Sequence, residues 1–263
     1  MMKASKGKRM QGNRGTALVT GAARRIGRAI AEDLAAHDFA VAVHAHRSLG
    51  EAEDVAQGIR ARGGRALTFA ADLTDRDATT GLVGRVAAAL GPVTLLVNSA
   101  SVFDPDTLED LDWAVWDRHF AIHVAAPAAL TRAMAAALPA GRTGLVVNII
   151  DQRVWKLTPQ FFSYTLSKDA LWTATRTMAQ ALAPRIRVNA IGPGPTLPSA
   201  RQDDAGFAAQ VAMLPLGHGP RLDEFGATIR YLWETGSITG QMIALDGGQH
   251  LAWRTSDVTV TTE

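Results

Sequence analysis

Tyr164 and Lys168 stand four positions apart in the run Tyr164-Thr165-Leu166-Ser167-Lys168, so on a helix both side chains share one face. A phenol with a pKa near 10 is a poor acid–base catalyst at neutral pH, and an ammonium beside it favours the phenolate. Lowering that pKa by about three pH units takes roughly 4 kcal/mol of differential stabilisation, which one cation and a further positive charge could supply in a dry cleft. The pair could then pass a proton to or from a bound molecule, although Tyr and Lys at this spacing also occur as plain surface neighbours. Its setting favours chemistry: it follows an apolar run ending in Asn148-Ile149-Ile150-Asp151 and precedes another ending in Asn189-Ala190-Ile191-Gly192-Pro193-Gly194.

A second chemical signal lies near the start, where Thr20-Gly21-Ala22-Ala23-Arg24-Arg25-Ile26-Gly27 joins a β-branched run to a helical pattern. Gly21 permits a tight turn, Gly27 lets the helix pack close to the strand, and the free N–H groups of the helix start suit a pyrophosphate. Arg25 replaces the middle glycine of the usual dinucleotide pattern, and an ordinary strand-to-helix turn uses similar residues. The next strand ends in His44-Ala45-His46-Arg47-Ser48, where a cofactor with a free 2′-hydroxyl would usually meet an acidic residue. Arginine and a hydroxyl suit a 2′-phosphate instead, with Arg25 adding a second charge nearby, so the expected cofactor is NADPH/NADP and not NADH. Asp72 and Leu73 could border the adenine, Asp72 serving equally well as a helix cap, and Asn98-Ser99-Ala100-Ser101 follow the fourth strand. His44 and His46 share a strand face, but no third ligand accompanies them and no metal is expected.

These residues require a particular scaffold. Short apolar runs at Thr16–Thr20, Ala40–His46, Ala66–Ala71, Val93–Asn98, Leu145–Ile150, Ile186–Ile191 and Met242–Leu245 alternate with stretches of helical period such as Arg28–His37 and Glu51–Arg62. Leu95-Leu96-Val97 and Leu145-Val146-Val147 lack polar alternation, as strands covered on both faces do. The expected fold is α/β: a doubly wound (Rossmann-type), seven-stranded parallel sheet in a single domain over residues 15–253. Residues 1–14, with Lys3, Lys6, Lys8, Arg9 and Arg14, read as a disordered basic tail and 254–263 as a C-terminal tail. The Pro-rich stretch 193–220, with one weakly helical segment at Asp203–Met213, reads as a substrate lid or as a tolerated surface excursion.

With 263 residues, 47% hydrophobic, 20% charged and a net charge of +2, the chain is an ordinary globule, and neither nucleic acid nor membrane is an expected partner. No secretory h-region or run of about 18 apolar residues is evident, and the absence of cysteine excludes thiol nucleophiles and thiolate metal sites. A cytoplasmic location fits best.

Taken together, Thr20 to Gly27, Asn98-Ser99-Ala100, Tyr164 to Lys168, Pro193-Gly194 and Asp246-Gly247-Gly248 resemble the short-chain dehydrogenase/reductase family over about residues 14 to 250. Arg24-Arg25-Ile26-Gly27, His46-Arg47-Ser48, Asn98 to Phe103 and Asp151, where most of the wider family has serine, look like its pteridine reductase and dihydromonapterin/dihydrofolate reductase branch. The resemblance implies NADPH-dependent reduction of a dihydropterin or dihydrofolate ring. Phe103 would then sandwich the pterin or, read without the resemblance, sit in the core beneath its loop. Ser101 and Arg25 would contact substrate, and Asp151 with Tyr164 would relay a proton to ring nitrogen. Arg24, Ile26, Pro193, Gly194 and Thr196 would join the cofactor contacts, as would Lys168.

Two departures stand out. His123, in a long helix expected at Trp113–Leu138, replaces the family's usual asparagine, and a neutral imidazole there could keep a water relay to Lys168. Pro195 stiffens the lid's first hinge. That helix and Phe161–Ala183 imply, by resemblance, a dimer interface, with the C-terminal strand and its Leu251 and Trp253 completing a homotetramer. The rival readings are a short-chain carbonyl reductase with the same cofactor and an NADP-binding sensor with weak chemistry.

Overall fold

The computed structural model describes residues 14–198 and 201–253. Most of both expected tails, residues 1–13 and 254–263, lies outside them, but Arg14 does not belong to a tail: its guanidinium bonds Glu234 at 2.7 Å.

Seven strands form one parallel sheet: β1 (Gly15–Val19), β2 (Phe39–Ala45), β3 (Arg65–Ala70), β4 (Val93–Asn98), β5 (Gly144–Ile149), β6 (Ile186–Pro193) and β7 (Met242–Leu245). Their order is β3-β2-β1-β4-β5-β6-β7, so the direction of winding reverses between β1 and β4. The crevice outside the carboxyl ends of those two strands is where open α/β sheets take their ligands.

The unbroken apolar strands have their physical reason in two cores, one on each sheet face. Val41, Val43, Leu95, Val97, Leu145 and Val147 point to one side. They meet Ile30 and Leu34 of α1 (Arg25–Ala36), Val55 of α2 (Leu49–Ala61) and Phe225 and Ile229 of α8 (Leu222–Glu234). The intervening Leu18, Leu96 and Val146 point to the other side, against Leu82 and Val86 of α3 (Arg76–Leu90) and Leu130 and Met134 of α5 (Ala126–Ala137). Alternate residues thus serve opposite cores, and neither set is free to be polar.

The expected helix Trp113–Leu138 is interrupted. It consists of α4 (Trp113–Phe120), a π-helical segment (Ala121–Ala125) and α5, and His123 sits in the π segment. The stretch Trp113–Ala137 contains an 18-residue window with a mean hydropathy of 1.3, long and apolar enough to cross a membrane by length and composition, although Asp117, Arg118, His119, His123 and Arg132 interrupt it and no continuous apolar run of that length exists. Its apolarity has an evident use here, because Leu130 and Met134 are buried in the sheet's second core.

Residues Phe162–Leu182 form α6, and Asp204–Ala212 form α7 within the expected lid, capped by the Asp203 carboxylate on Gly206 N–H at 2.8 Å. The C-terminal strand ends at Leu245, so it does not include Leu251, which lies in a short 3-10 turn, or Trp253 beyond it.

Candidate active site

The turn after β1 is locked to the end of β4. Thr20 Oγ1 accepts hydrogen bonds from Ser99 N at 2.9 Å and Ala100 N at 3.0 Å, which brings the two strand ends together. Gly21 has φ +65°, and a Cβ there would lie 2.8 Å from Ala100 Cα; at Gly27 it would lie 2.3 Å from the Gly21 carbonyl oxygen. Close approach therefore requires both glycines, and the positive φ adds a second reason at Gly21 alone. The start of α1 has no side-chain cap and no acidic residue in its first turn, so its N–H groups remain available to an anion.

His44 is a strut of this turn. Its Nδ1 accepts from Gly21 N at 3.2 Å, so Nε2 carries the proton and donates to the Ala71 carbonyl at 3.2 Å. Burial lowers its pKa to about 4 and keeps it neutral. Among the described residues no group of three potential metal ligands exists.

Arg24 pairs with Glu51 on α2. Arg25, with φ +52°, does not reach toward the end of β2: its guanidinium donates to the Pro198 carbonyl at 2.8 Å and the Leu197 carbonyl at 3.1 Å. The expected second charge beside Arg47 is thus spent on the lid, and Arg24, facing Glu51 near Ser48, is the better placed of the two.

The chemical end is built by β5 and α6. Tyr164 Oη donates to Asp151 Oδ2 at 2.9 Å, and Asp151 Oδ1 accepts from Arg153 N at 2.8 Å. Lys168 Nζ donates to the Ile149 carbonyl at 2.9 Å and lies 5.6 Å from the centre of the Tyr164 ring. Burial, and then the Asp151 carboxylate, push the Tyr164 phenol well above its ordinary pKa of 10. Burial and the Asp151 carboxylate thus outweigh the Lys168 ammonium and favour the neutral phenol over a phenolate. Burial raises the Asp151 pKa against the opposing hydrogen bond from Arg153 N–H, and burial lowers Lys168 from 10.5 to about 8, with Asp151 working the other way.

Why α6 starts where it does was not legible from local sequence. Phe161 precedes it in a left-handed conformation, φ 57° and ψ 53°, and caps nothing. The cap comes from the loop after β4: the buried Asp106 carboxylate accepts from Ser163 N at 3.0 Å and from Ser163 Oγ. Within the same loop Phe103 stacks on Phe161 at 4.2 Å and 7°, and meets Tyr164 edge-on at 4.7 Å. Phe103 is half-buried beside the cavity and is not a core residue.

Both ring nitrogens of His123 meet groups other than Lys168. Its buried ring contacts Ser167 Oγ through Nδ1 at 2.8 Å, and through Nε2 meets Ser101 Oγ at 2.9 Å and Val102 N at 3.3 Å. Ser167 Oγ donates to the Tyr164 carbonyl, so Nδ1 carries the proton and Nε2 accepts. Burial, then the Lys168 charge, hold its pKa well below 6.5. This neutral imidazole pins the Ser101–Phe103 loop to α6.

Asn98 likewise turns inward. Its Nδ2 donates to Asn148 Oδ1 at 2.8 Å, and Asn148 Nδ2 donates to Thr175 Oγ1 at 2.8 Å, a polar chain that knits β4, β5 and α6. Asp72 Oδ1 closes a turn on Thr74 N at 2.9 Å, the cap of α3 being Asp75, and Leu73 is buried in the core.

One cavity of about 940 Å³ runs from the glycine turn to the Tyr164 hydroxyl. Gly21, Arg24, Arg25, Ile26, Gly27, Ser99, Ala100, Ser101, Phe103, Asp151, Tyr164, Lys168, Pro193, Gly194 and Thr196 all border it. His46, Arg47, Ser48, Asp72, Leu73, Asn98 and His123 do not, the first three being at the end of β2 with His46 and Arg47 exposed. The uncapped helix start, the glycine clearances and the cationic end of β2 fit a phosphorylated dinucleotide laid along this trough. Local sequence reasoning missed Thr20, Asp106, Phe161 and Arg153, of which only Thr20 lay inside a motif.

Residues 15–206 match the family model for short chain dehydrogenases. The crystal structure of FolM alternative dihydrofolate reductase 1 from Brucella canis, complexed with NADP, is 61% identical and superposes with a TM-score of 0.91 over 94% of this chain and 98% of that one. The Brucella suis protein of the same name, in complex with NADP, gives 61% and 0.91 over 93% and 98%. A more distant relative, cis-4-hydroxycyclohexanecarboxylate dehydrogenase of Sinomonas cyclohexanicum, is 32% identical over 88% of this chain and 95% of its own length. With the Tyr164/Lys168 pair set at the carboxyl end of a seven-stranded parallel sheet and the glycine turn at its winding reversal, the chain belongs to the short-chain dehydrogenase family of oxidoreductases.

Proposed function

We propose that this protein is an NADPH-dependent reductase of a dihydropterin or dihydrofolate ring. The observation that carries the reading is the Asp151 carboxylate bonded to the Tyr164 hydroxyl at 2.9 Å, next to the Phe103 ring. Reduction of a C=N bond requires a proton on nitrogen, and a carboxyl of raised pKa behind a neutral phenol can replace each proton the phenol gives up. Similarity to the two Brucella proteins supports the same substrate class.

The bound cofactor supplies the hydride. Gly21, Ile26, Gly27, Ser99 and Ala100 would line its pyrophosphate and nucleoside; Arg24, His46, Arg47 and Ser48 would take the 2′-phosphate, and Asp72 with Leu73 would border the adenine. Lys168, Pro193, Gly194 and Thr196 would flank the nicotinamide end. Tyr164 would donate its proton to the ring nitrogen, and Asp151, reloaded from water, would restore it. Phe103 and Ser101 would hold the ring, with residues 193–220 as the lid that Arg25 latches. We further propose that the single domain assembles as a homotetramer in the cytoplasm.

Consumption of NADPH with panels of dihydropterins, dihydrofolate and ketones tests the reading. Turnover of the first two is expected; turnover of ketones alone replaces it with a carbonyl reductase.

A further inference from the structure

Among the described residues four guanidinium groups border the cavity, and three of them are held by a carboxylate or by backbone carbonyls. Arg24 pairs with Glu51, Arg25 is held by the lid carbonyls of Leu197 and Pro198, and Arg201 is bonded to the Phe103 carbonyl at 2.7 Å and lies 3.6 Å from Asp104. Arg153 differs. Among the described residues no carboxylate lies within 4.0 Å of its guanidinium, whose Nε is buried with no hydrogen-bond partner. A half-buried guanidinium with an unused donor beside a cavity is poorly satisfied by protein alone.

Its position is fixed, and it continues a line from the chemical centre. Phe103 touches Tyr164 edge-on at 4.7 Å, Phe161 stacks on Phe103 at 4.2 Å, and the Arg153 guanidinium lies 5.3 Å from the centre of the Phe161 ring. The Thr158 hydroxyl steadies its Nη1. From the reacting hydroxyl outward the wall therefore reads aromatic, aromatic, cation. A flat heterocycle bearing an aryl group and then a carboxylate has the same sequence of chemistry.

We propose that Arg153 is a specificity-determining residue that binds the glutamate carboxylates of a tail-bearing substrate, so that the site prefers dihydrofolate to dihydropterins with short neutral side chains. This rests on the pterin or folate reading above. Phe161, held in its left-handed backbone conformation, serves as the platform for the guanidinium and the edge of the aminobenzoyl ring. One charge-assisted hydrogen bond of about 1.5–3 kcal/mol corresponds to roughly a tenfold to hundredfold preference.

The experiment compares wild type, Arg153→Met and Arg153→Lys in two measurements. The first is kcat/KM for dihydrofolate and for dihydrobiopterin with NADPH; the second is calorimetric binding of folic acid and of 6-hydroxymethylpterin to the full-length protein. Arg153→Met should lower the dihydrofolate-to-dihydrobiopterin ratio at least tenfold, through KM for the tailed substrate, and weaken folic acid by a like factor. Arg153→Lys, which keeps the charge without the planar fork, should recover part of both. Arg176→Met, at a guanidinium 5.0 Å from the Trp172 ring, should leave the ratio unaltered. Ratios that stay the same in Arg153→Met, or fall equally in Arg176→Met, overturn the assignment while the pterin reading stands. Turnover of ketones alone by wild type overturns both.

Discussion

Replacing Lys168 with methionine tests the electrostatics of the site in a measurable way. Lys168 is 3% exposed, and burial takes its pKa from 10.5 to about 8. A lysine that holds its proton less tightly when folded destabilises the fold while charged, so the penalty is complete below about pH 8 and is relieved as pH rises toward 10.5. At about 1.4 kcal/mol for each tenfold change in proton affinity, the wild type should gain about 2.5 kcal/mol over Lys168→Met between pH 7 and pH 10. The lost bond to the Ile149 carbonyl lowers the variant's stability at every pH and so cancels from this difference. The assay is urea unfolding of both proteins at one protein concentration, at pH 7, 8, 9 and 10. Parallel curves would refute the reasoning, and so would a wild type that loses ground with rising pH. Turnover should move the opposite way, declining through pH 8 as the ammonium is lost.

Tyr164→Phe removes the proton donor while keeping the ring against Phe103 and should lower kcat by about 10²–10⁴ with NADPH affinity retained, as read by stopped-flow and by cofactor fluorescence. Arg47→Gln should weaken NADPH binding at least tenfold, the loss of about one charged hydrogen bond, and leave NADH binding alone; equal loss of both would remove Arg47 from the 2′-phosphate site. His44 stays neutral in the fold down to about pH 4 while the unfolded chain takes up its proton below about 6.5, so stability should drop by about 3 kcal/mol from pH 7 to pH 4 on this account. A His44→Gln protein whose acid unfolding profile retains the full slope would show that the imidazole is not its source.

The scaffold was legible because a doubly covered strand favours apolar residues on both faces and admits a polar one only where it finds a partner, as Asn98 and Asn148 do, which leaves runs such as Leu95-Leu96-Val97 unbroken. The Tyr164/Lys168 pair and the glycine turn were legible for a similar reason: each needs fixed residue types at short spacing. What escaped depends on partners distant in sequence. His123 is defined by Ser101 and Ser167, 22 and 44 positions away, and its π-helical segment leaves no mark on an apolar pattern. Arg25 borders the cavity, but its hydrogen bonds to lid carbonyls 172 and 173 positions on leave no mark in the local sequence. Asp106 is a loop carboxylate in sequence and the cap of α6 in space, 57 positions from Ser163.

Asp106 also makes one mechanical body of two parts that enzymes often keep separate. The carboxylate that fastens the start of α6 belongs to the strip of chain that carries Phe103, and the helix it fastens carries Tyr164. On the proposed reading, a ring pressing outward on Phe103 would load the turn of helix that aims the hydroxyl. How deeply a guest is seated and how well the donor is aimed would on that reading become a single variable, so a misfitting heterocycle should be turned over slowly even when it is held tightly.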